Sequence, residues 1–224
     1  MYLMKSFYAL FSFCVVVLFV ACTSRPATFT SPDGKIRLSF ALDSCRSMTY
    51  QVWVNDSLVI QPSMLGFTEK TGINLSRNFR ILQTEFSQTD ETWTQPWGEN
   101  KTVRNAYNQM TVHLMDEAQT ELDLYFRLFD DGVGFRYEYR VPKADSLLIT
   151  DELTTFSLAA DGQSWSIPAN YETYELQYRT LPLSAVETAN TPMTFRSAGI
   201  YASLHEAALT DFPEMTLKNV GGTC

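Results

Sequence analysis

Histidine is scarce in this 224-residue chain, which contains only His113 and His205. Two histidines cannot build a His-rich metal centre, and they leave little material for a histidine-based catalytic triad. The segment HEAAL at 205–209 begins like the HExxH zinc-protease motif, but Leu209 stands where the second histidine ligand is needed. His113 alternates with apolar residues, which indicates a structural histidine on a strand. Histidine chemistry of the zinc-protease kind is therefore excluded.

Basic residues are also few, with 17 Lys+Arg against 25 Asp+Glu and a net charge of −8. No run of lysine or arginine is present, so the chain lacks the basic face that neutralises phosphates, and we expect no nucleic-acid partner. The sequence contains neither GxGxxG nor GxxxxGK[ST], the loops that cradle nucleotide phosphates. It also lacks the GxSxG elbow of α/β-hydrolases.

Long apolar runs are absent except at the N-terminus, where Phe7 to Ala21 is interrupted only by Ser12 and preceded by Lys5. As a helix this run spans roughly 22 Å, less than the ~30 Å hydrocarbon thickness of a bilayer, so it favours a signal peptide over 1–21. The remaining composition, 45% hydrophobic and 19% charged, is typical of a globular protein.

The end of the apolar run, Val20-Ala21-Cys22, is similar to a bacterial lipobox. This similarity predicts acylation of Cys22, a tether over 22–30, and a lipoprotein anchored to a membrane in the periplasm or at the surface of a Gram-negative bacterium. The alternative is an ordinary cleavage site that happens to precede a cysteine. Cys45 and Cys224 could form one disulfide in that compartment, but the terminal position of Cys224 gives no basis for predicting the pair.

The body of the chain alternates apolar and polar residues with a period of two, which predicts an all-β domain built as a large antiparallel β-sandwich. Predicted strands cover 36–42, 50–54, 110–114 and 122–128, with Thr111 and His113 on the outer face of the third. Asp130-Asp131-Gly132 predicts a hairpin turn in which Gly132 takes a positive φ. Further turns are expected at 32–34, 55–57 and 161–162. Only Tyr171 to Tyr178 has a pattern that could supply one or two helical turns.

Carboxylates and aromatic rings are the remaining candidates for chemistry. Asp130 and Asp131 sit in a turn, where aspartate is favoured for backbone reasons. Glu172 and Glu175 could meet sugar hydroxyls or could form the exposed face of a short helix. Trp97 is one of four tryptophans whose rings could stack on a sugar or pack in the core. A glycosidase needs two carboxylates at a fixed separation, which sequence spacing cannot establish.

Three stretches together resemble the N-terminal domain of glycoside hydrolase family 97: TWTQPWGENK at 92–101, FRLFDDGVGFRY at 126–137 and HEAALTDFPEM at 205–215. The resemblance implies a galactose-mutarotase-like super-sandwich over 31–224 that packs on a catalytic (β/α)₈ barrel and lends it a loop. It further implies an exo-acting α-glucosidase or α-galactosidase acting on α-linked oligosaccharides, with a calcium ion at the active site. Glu206 matches the glutamate that the N-terminal domain contributes to that calcium.

The chain stops where the barrel of such an enzyme should begin, and we interpret it as a truncated product without the catalytic carboxylates. We therefore expect a carbohydrate-associated sandwich with no catalytic residue and no activity of its own. In this interpretation, calcium binds only in the full-length enzyme. The alternative is a free-standing surface lipoprotein that binds glycans or a protein partner.

Overall fold

The computed structural model describes residues 26–142, 144–210 and 212–221. It contains sixteen strands and one short 3₁₀ turn at Leu183–Ala185 within those ranges. The strands are β1 (Ala27–Thr30), β2 (Ile36–Leu42), β3 (Met48–Val54), β4 (Ser57–Met64), β5 (Phe67–Glu69), β6 (Arg80–Thr94), β7 (Thr102–Met115), β8 (Glu121–Leu128), β9 (Val133–Arg140), β10 (Ile149–Glu152), β11 (Gly162–Ser166), β12 (Arg179–Pro182), β13 (Thr188–Asn190), β14 (Met193–Ser197), β15 (Ile200–Leu204) and β16 (Thr216–Lys218).

Three four-stranded sheets form the body, and every strand pair is antiparallel. The first sheet has the order β1-β2-β3-β4, the second β6-β7-β8-β9 and the third β12-β11-β14-β15. Two ribbons, β5 with β10 and β13 with β16, complete the fold. The predicted all-β antiparallel class is confirmed.

The first and second sheets enclose the main core. Along β8, Leu122, Leu124 and Phe126 are fully buried, and they pair across to Leu114, Val112 and Met110 of β7. Phe40 of β2 meets Phe126 with ring centroids 5.9 Å apart. The two-residue period puts one apolar face of each sheet inward, so burial of these faces holds the layers together.

A second, smaller core lies under the third sheet. It contains the buried side chains of Ala189, Met193 and Phe195, with Leu204 of β15 packed against them. Ile60 of β4 packs against both cores and bridges to Leu158. The third sheet is thereby fixed to the sandwich, and the end of β15 has a rigid base.

The predicted hairpin at 130–132 forms between β8 and β9, but its turn differs from the expectation. Gly132 does not have a positive φ, so the prediction that it must adopt one was wrong. A four-residue loop joins Leu128 to Val133, with the amide of Phe129 donating to the carbonyl of Gly132 at 2.9 Å. Longer hairpin loops are commonly built around a type I turn, which needs no left-handed glycine.

The turn at Asn55-Asp56 uses the left-handed region instead, with φ of 48° and 63° between β3 and β4. Two successive positive φ values are the signature of a type I′ hairpin turn. Gly162 was expected in a turn, but it opens β11, where a Cβ atom would lie 1.9 Å from the carbonyl oxygen of Arg196. Glycine is required there by the close approach of β14.

The segment 171–178 forms bends rather than helix, so the expected helical turns are absent from it. The side-chain oxygen of Asn170 accepts hydrogen bonds from the amides of Glu172 and Thr173, and the hydroxyl of Thr173 accepts one from the amide of Glu175. These local bonds occupy amides that a helix would need.

Two features mark the ends of the sandwich. Strand pairing begins at Ala27, which pairs with Phe40, so the sandwich starts inside the segment 22–30 that was expected to be a tether. At the other end, β6 and β7 form a long ribbon, paired from Arg80 and Met115 to Thr94 and Thr102.

In the part of the chain described here, no helix is long and apolar enough to cross a bilayer.

Candidate functional site

Glu206 lies just beyond the end of β15, at the edge of the third sheet. Pairing of β14 with β15 puts Leu204 opposite Met193, and the chain then leaves the sheet through His205. Leu204 is partly buried against the smaller core, and this packing holds the end of β15 in place. A side chain at such a strand end can reach a neighbouring domain.

Two groups distant in sequence hold the Glu206 carboxylate. The hydroxyl of Thr191 lies 2.7 Å from Oε2, and the backbone amide of Met215 donates to Oε1. Partial burial raises the pKa of the Glu206 carboxyl, but these hydrogen bonds outweigh it and the pKa lies below its ordinary value. The carboxylate is therefore ionised near neutral pH and fixed in orientation.

The Glu206 carboxylate suits the calcium ion that the family resemblance implies. An ionised carboxylate offers about four lone-pair sites, and the two hydrogen bonds leave some of these sites open. Calcium takes six to eight oxygen ligands, and the described residues contain no group of three or more acidic, histidine or cysteine side chains placed to hold a metal. Glu206 thus fits a single ligand to calcium, with the other ligands supplied by groups outside these residues.

The structure does not bring Glu172 and Glu175 into a site with Glu206. Both are exposed on the irregular segment, where their backbone amides bond to Asn170 and Thr173. Within the described ranges neither carboxylate forms a hydrogen bond or ion pair with another side chain. Their role as sugar contacts stays a prediction.

Trp97 lies at the tip of the β6–β7 ribbon and is 84% exposed. Two hydrogen bonds of Gln95 hold the loop in place. Its side-chain amide donates to the carbonyl of Asn100 at 2.7 Å, and its backbone amide donates to the carbonyl of Lys101 at 3.0 Å. Gly98 has a φ of 119°, and a Cβ atom there would lie 2.7 Å from the Gln95 amide nitrogen. An ordered loop thus presents an uncovered indole ring.

A polar network on the outer face of the second sheet was only partly foreseen. His113 bonds Asp123 through Nδ1 at 2.6 Å, and Arg140 donates to the other oxygen of Asp123 at 2.6 Å. Burial raises the pKa of Asp123, but the hydrogen bonds and charges of Arg140 and His113 lower it by more, so the pKa lies below its ordinary value. His113 is thus the hydrogen-bonded structural residue that its alternation predicted. Sequence alternation placed it on the outer face, but only strand register identifies its partners.

Asp130 has a structural contact as well. Its Oδ1 atom accepts a 2.9 Å hydrogen bond from the backbone amide of Asp33, which joins the β8–β9 loop to the turn before β2. This contact agrees with the backbone role expected of an aspartate in a turn.

Two clefts of about 340 and 210 Å³ open on the described part of the surface. The first, beside Phe29 and Phe86, has no carboxylate in its lining, and the second, beside Arg179, has only Glu187. Glycoside hydrolysis by the usual route needs two carboxylates roughly 5–9.5 Å apart across the bound sugar. Neither cleft has that arrangement.

The predicted acylation site, Cys22, lies outside the described residues, as does Cys224. Cys45 is an exposed thiol in the loop between β2 and β3. The structure therefore does not test lipidation or the Cys45–Cys224 pair.

Comparison with known proteins places these observations in a family. The family model described as "Glycosyl-hydrolase 97 N-terminal" matches residues 29–223. Among curated proteins, the retaining alpha-galactosidase of Bacteroides thetaiotaomicron is 25% identical over 127 residues, which cover 54% of this chain and 18% of that protein. The probable retaining alpha-galactosidase of Streptomyces bingchenggensis is 24% identical over 189 residues, covering 84% of this chain and 28% of that protein.

Among solved structures, a Glycoside Hydrolase Family 97 enzyme from Pseudoalteromonas sp. strain K8 is 36% identical with a TM-score of 0.79. It was solved as a variant in complex with panose and also in complex with acarbose. The match covers 86% of this chain and 30% of that enzyme, so the chain spans less than a third of the length of these relatives. A beta-arabinopyranosidase, 22% identical with a TM-score of 0.66, shares the fold.

Proposed function

The chain belongs to the glycoside hydrolase family 97 N-terminal family, and we propose that it is the carbohydrate-associated β-sandwich of an exo-acting α-glycosidase. The observation that carries this proposal is the family match over residues 29–223, almost the whole described part. The activity belongs to a larger enzyme in which this sandwich positions groups at the active site.

The proposed substrate is an α-linked oligosaccharide, with an α-glucoside or an α-galactoside as the two candidates. The α-glucoside is supported by the Pseudoalteromonas enzyme, which was solved with panose and acarbose at 36% identity to this chain. The α-galactoside is supported by the two curated relatives, both of which carry that activity in their names. The family match alone does not choose between them.

The proposed partner is a catalytic (β/α)₈ barrel that packs against the sandwich. The relatives are more than three times as long as the matched region, which leaves room for such a domain. Exposed aromatic side chains on β15 and in the segment before β12 support such a contact: Tyr171, Tyr174, Tyr178 and Tyr201. Exposed apolar groups of this size commonly mark contact surfaces.

We further propose that Glu206 is one ligand of a calcium ion shared with the barrel. Its carboxylate is ionised, is held by Thr191 and Met215, and retains open lone pairs. Calcium would supply positive charge beside the sugar, while Glu206 contributes one oxygen ligand and a fixed position. The enzyme as a whole is proposed to be a lipoprotein of the periplasm or cell surface, anchored through Cys22.

The calcium proposal is tested in a complete enzyme, with a family 97 catalytic domain joined to this sandwich. Glu206→Gln keeps the shape of the side chain but removes its charge, so calcium affinity and hydrolysis of 4-nitrophenyl α-glycosides should fall together. Excess calcium should partly restore the rate. The matched control is Glu214→Gln, an exposed acid in the same segment. Unchanged calcium dependence in Glu206→Gln would remove Glu206 from the ligand set.

The inactivity of the sandwich alone is tested separately. The chain by itself should release no 4-nitrophenol from the α-glucoside or the α-galactoside above a mock purification. Measurable release that follows the protein through purification would contradict the proposal.

A further inference from the structure

The β6–β7 ribbon carries an exposed indole ring at its tip. Trp97 is 84% exposed, whereas the large rings of the core, such as Phe126, are fully buried. In the described part of the chain, no ring contact or cation–π contact involves Trp97. Transfer of an indole ring from water to an apolar contact lowers the free energy. An indole exposed at a loop tip is therefore typical of a surface that contacts a ligand or partner.

The loop that carries Trp97 is ordered by side-chain and backbone contacts rather than left free. Gln95 is half-buried between the two arms, and its amide closes the loop onto Asn100. Gly98 approaches the same amide so closely that a side chain at this position would collide with it. A pre-ordered loop loses little conformational freedom on binding, which is the condition under which one ring gives useful affinity.

The ribbon beneath the loop is stiffened by ionic and polar bonds. Arg104 forms a two-pronged ion pair with Asp90 at 2.8 and 2.7 Å, and the side-chain amide of Asn105 bonds Glu91 at 2.7 Å. A two-stranded ribbon without such support is only marginally stable in water. These bonds add to the backbone pairing of β6 with β7, which runs up to Thr94 and Thr102 and connects the tip to the sandwich.

The groups around the indole suit a sugar. One face of a pyranose ring exposes C–H bonds, which carry partial positive charge and contact the negative face of an aromatic ring. Glu99, Asn100 and Lys101 are exposed beside Trp97 and offer a carboxylate, an amide and an ammonium group to hydroxyls. A flat ring surrounded by a few polar groups is the usual composition of a small-ligand site.

We propose that Trp97 is the stacking platform of a carbohydrate-binding site at the tip of the β6–β7 ribbon. The ligand class is an α-linked oligosaccharide, and one sugar ring lies on the indole while neighbouring polar side chains bind its hydroxyls. This site deepens the proposed function, on which its ligand class rests. In the described chain the hydrogen bonds of this loop do not involve Glu206, Thr191 or Met215, so sugar binding here can be measured separately from calcium binding.

The experiment uses the chain as it is, with panose as the probe and ligand-observed NMR titration as the readout. Saturable binding with a Kd on the order of millimolar is expected, because one ring and a few hydrogen bonds give roughly −4 kcal/mol. Trp97→Ala should weaken binding about fivefold or more, and Trp97→Phe should restore part of the loss. An exposed side chain can be removed without unfolding the domain, which circular dichroism checks.

Two further variants test whether sugar binding is specific to Trp97 and its loop or is common to any exposed tryptophan. Trp93→Ala removes another tryptophan of the same ribbon, which is 49% exposed on the strand, and should leave the Kd within about twofold. Gly98→Ala should weaken binding while keeping Trp97, because alanine is strained at a φ of 119° and its Cβ atom would press on the Gln95 amide. The proposal is overturned if panose does not bind saturably, or if Trp97→Ala binds as tightly as the unmodified chain. Because calcium is absent from the titration, either result leaves the Glu206 proposal standing.

Discussion

Thr191 and Glu206 are separated by fifteen residues in sequence, and their side chains meet at 2.7 Å beside the end of β15. Thr191 is buried, and its hydroxyl also lies 3.1 Å from the carbonyl oxygen of Met215, so its single proton lies between acceptors from two other segments of the chain. The carboxylate orientation is consequently set by the sandwich itself, before any other domain contacts it.

Thr191→Val should raise the pKa of Glu206, because it removes a hydrogen bond to the charged form while keeping the shape of the side chain. Carbon-13 NMR titration of the glutamate carboxyl would measure the change. Thr194→Val is the control, since the Thr194 hydroxyl bonds Ser203 rather than Glu206. An unchanged Glu206 titration in Thr191→Val would show that the hydroxyl does not stabilise the ionised carboxylate.

Asp123→Asn should destabilise the domain by about 1–3 kcal/mol at neutral pH, because it weakens the partly buried bonds to Arg140 and His113. The folded-state pKa of Asp123 is depressed, so its stabilisation is fully present above the ordinary aspartate pKa of about 3.9 and is lost as pH falls through the folded value. Urea unfolding at several pH values should show the variant and the unmodified chain converging in acid.

Glu121→Ala is the matched control for Asp123. Glu121 bonds the same arginine at 3.0 Å, but its side chain is 44% exposed. Its removal should cost less than about 1 kcal/mol, since solvent screens exposed ion pairs. Equal losses for the two variants would mean that burial of Asp123 does not strengthen the network.

Gly162→Ala should destabilise the third sheet by about 3 kcal/mol or more, because the new methyl group would lie 1.9 Å from the Arg196 carbonyl and force β11 away from β14. Gly132→Ala is the control, with no atom within 4 Å of its Cβ position and no positive φ. It should leave stability within about 0.5 kcal/mol of the unmodified chain. Thermal unfolding of both variants tests the difference, and similar melting temperatures would contradict the assigned close approach.

Cys22→Ser should move the protein from the membrane fraction to the soluble fraction and abolish labelling by a fatty-acid analogue, because the acylated thiol is the proposed anchor. Cys45→Ser should change neither result, since Cys45 lies in the loop between β2 and β3, away from the predicted acylation site. Membrane association that persists in Cys22→Ser would exclude lipidation at this residue.

The sandwich could be predicted where one physical rule decides the structure. Alternation along 122–128 identifies an inward face, and Leu122, Leu124 and Phe126 are indeed buried. The period of two needs no knowledge of neighbouring strands, because it reflects only which side chains share a face.

The features that sequence reasoning missed depend on contacts between distant segments. The need for glycine at 162 arises from β14, more than thirty residues later, and no local pattern shows it. The loss of helix at 171–178 follows from Asn170 and Thr173 competing for amides, which periodicity does not count. The tie between Thr191 and Glu206 likewise exists only once β14 and β15 pair.

The long ribbon has a consequence for the handling of this chain as a separate protein. β6 is paired with β7 on one side and ends the second sheet on the other, so its outer edge offers unpaired amides and carbonyls. Such an edge can template addition of another extended chain, and Leu82 and Phe86 add exposed apolar surface to it. Glu85 and Glu91 are exposed on the same strand, and charged residues on an edge strand oppose such association. Solubility and resistance to aggregation therefore depend on charges in a strand that contributes little to the core.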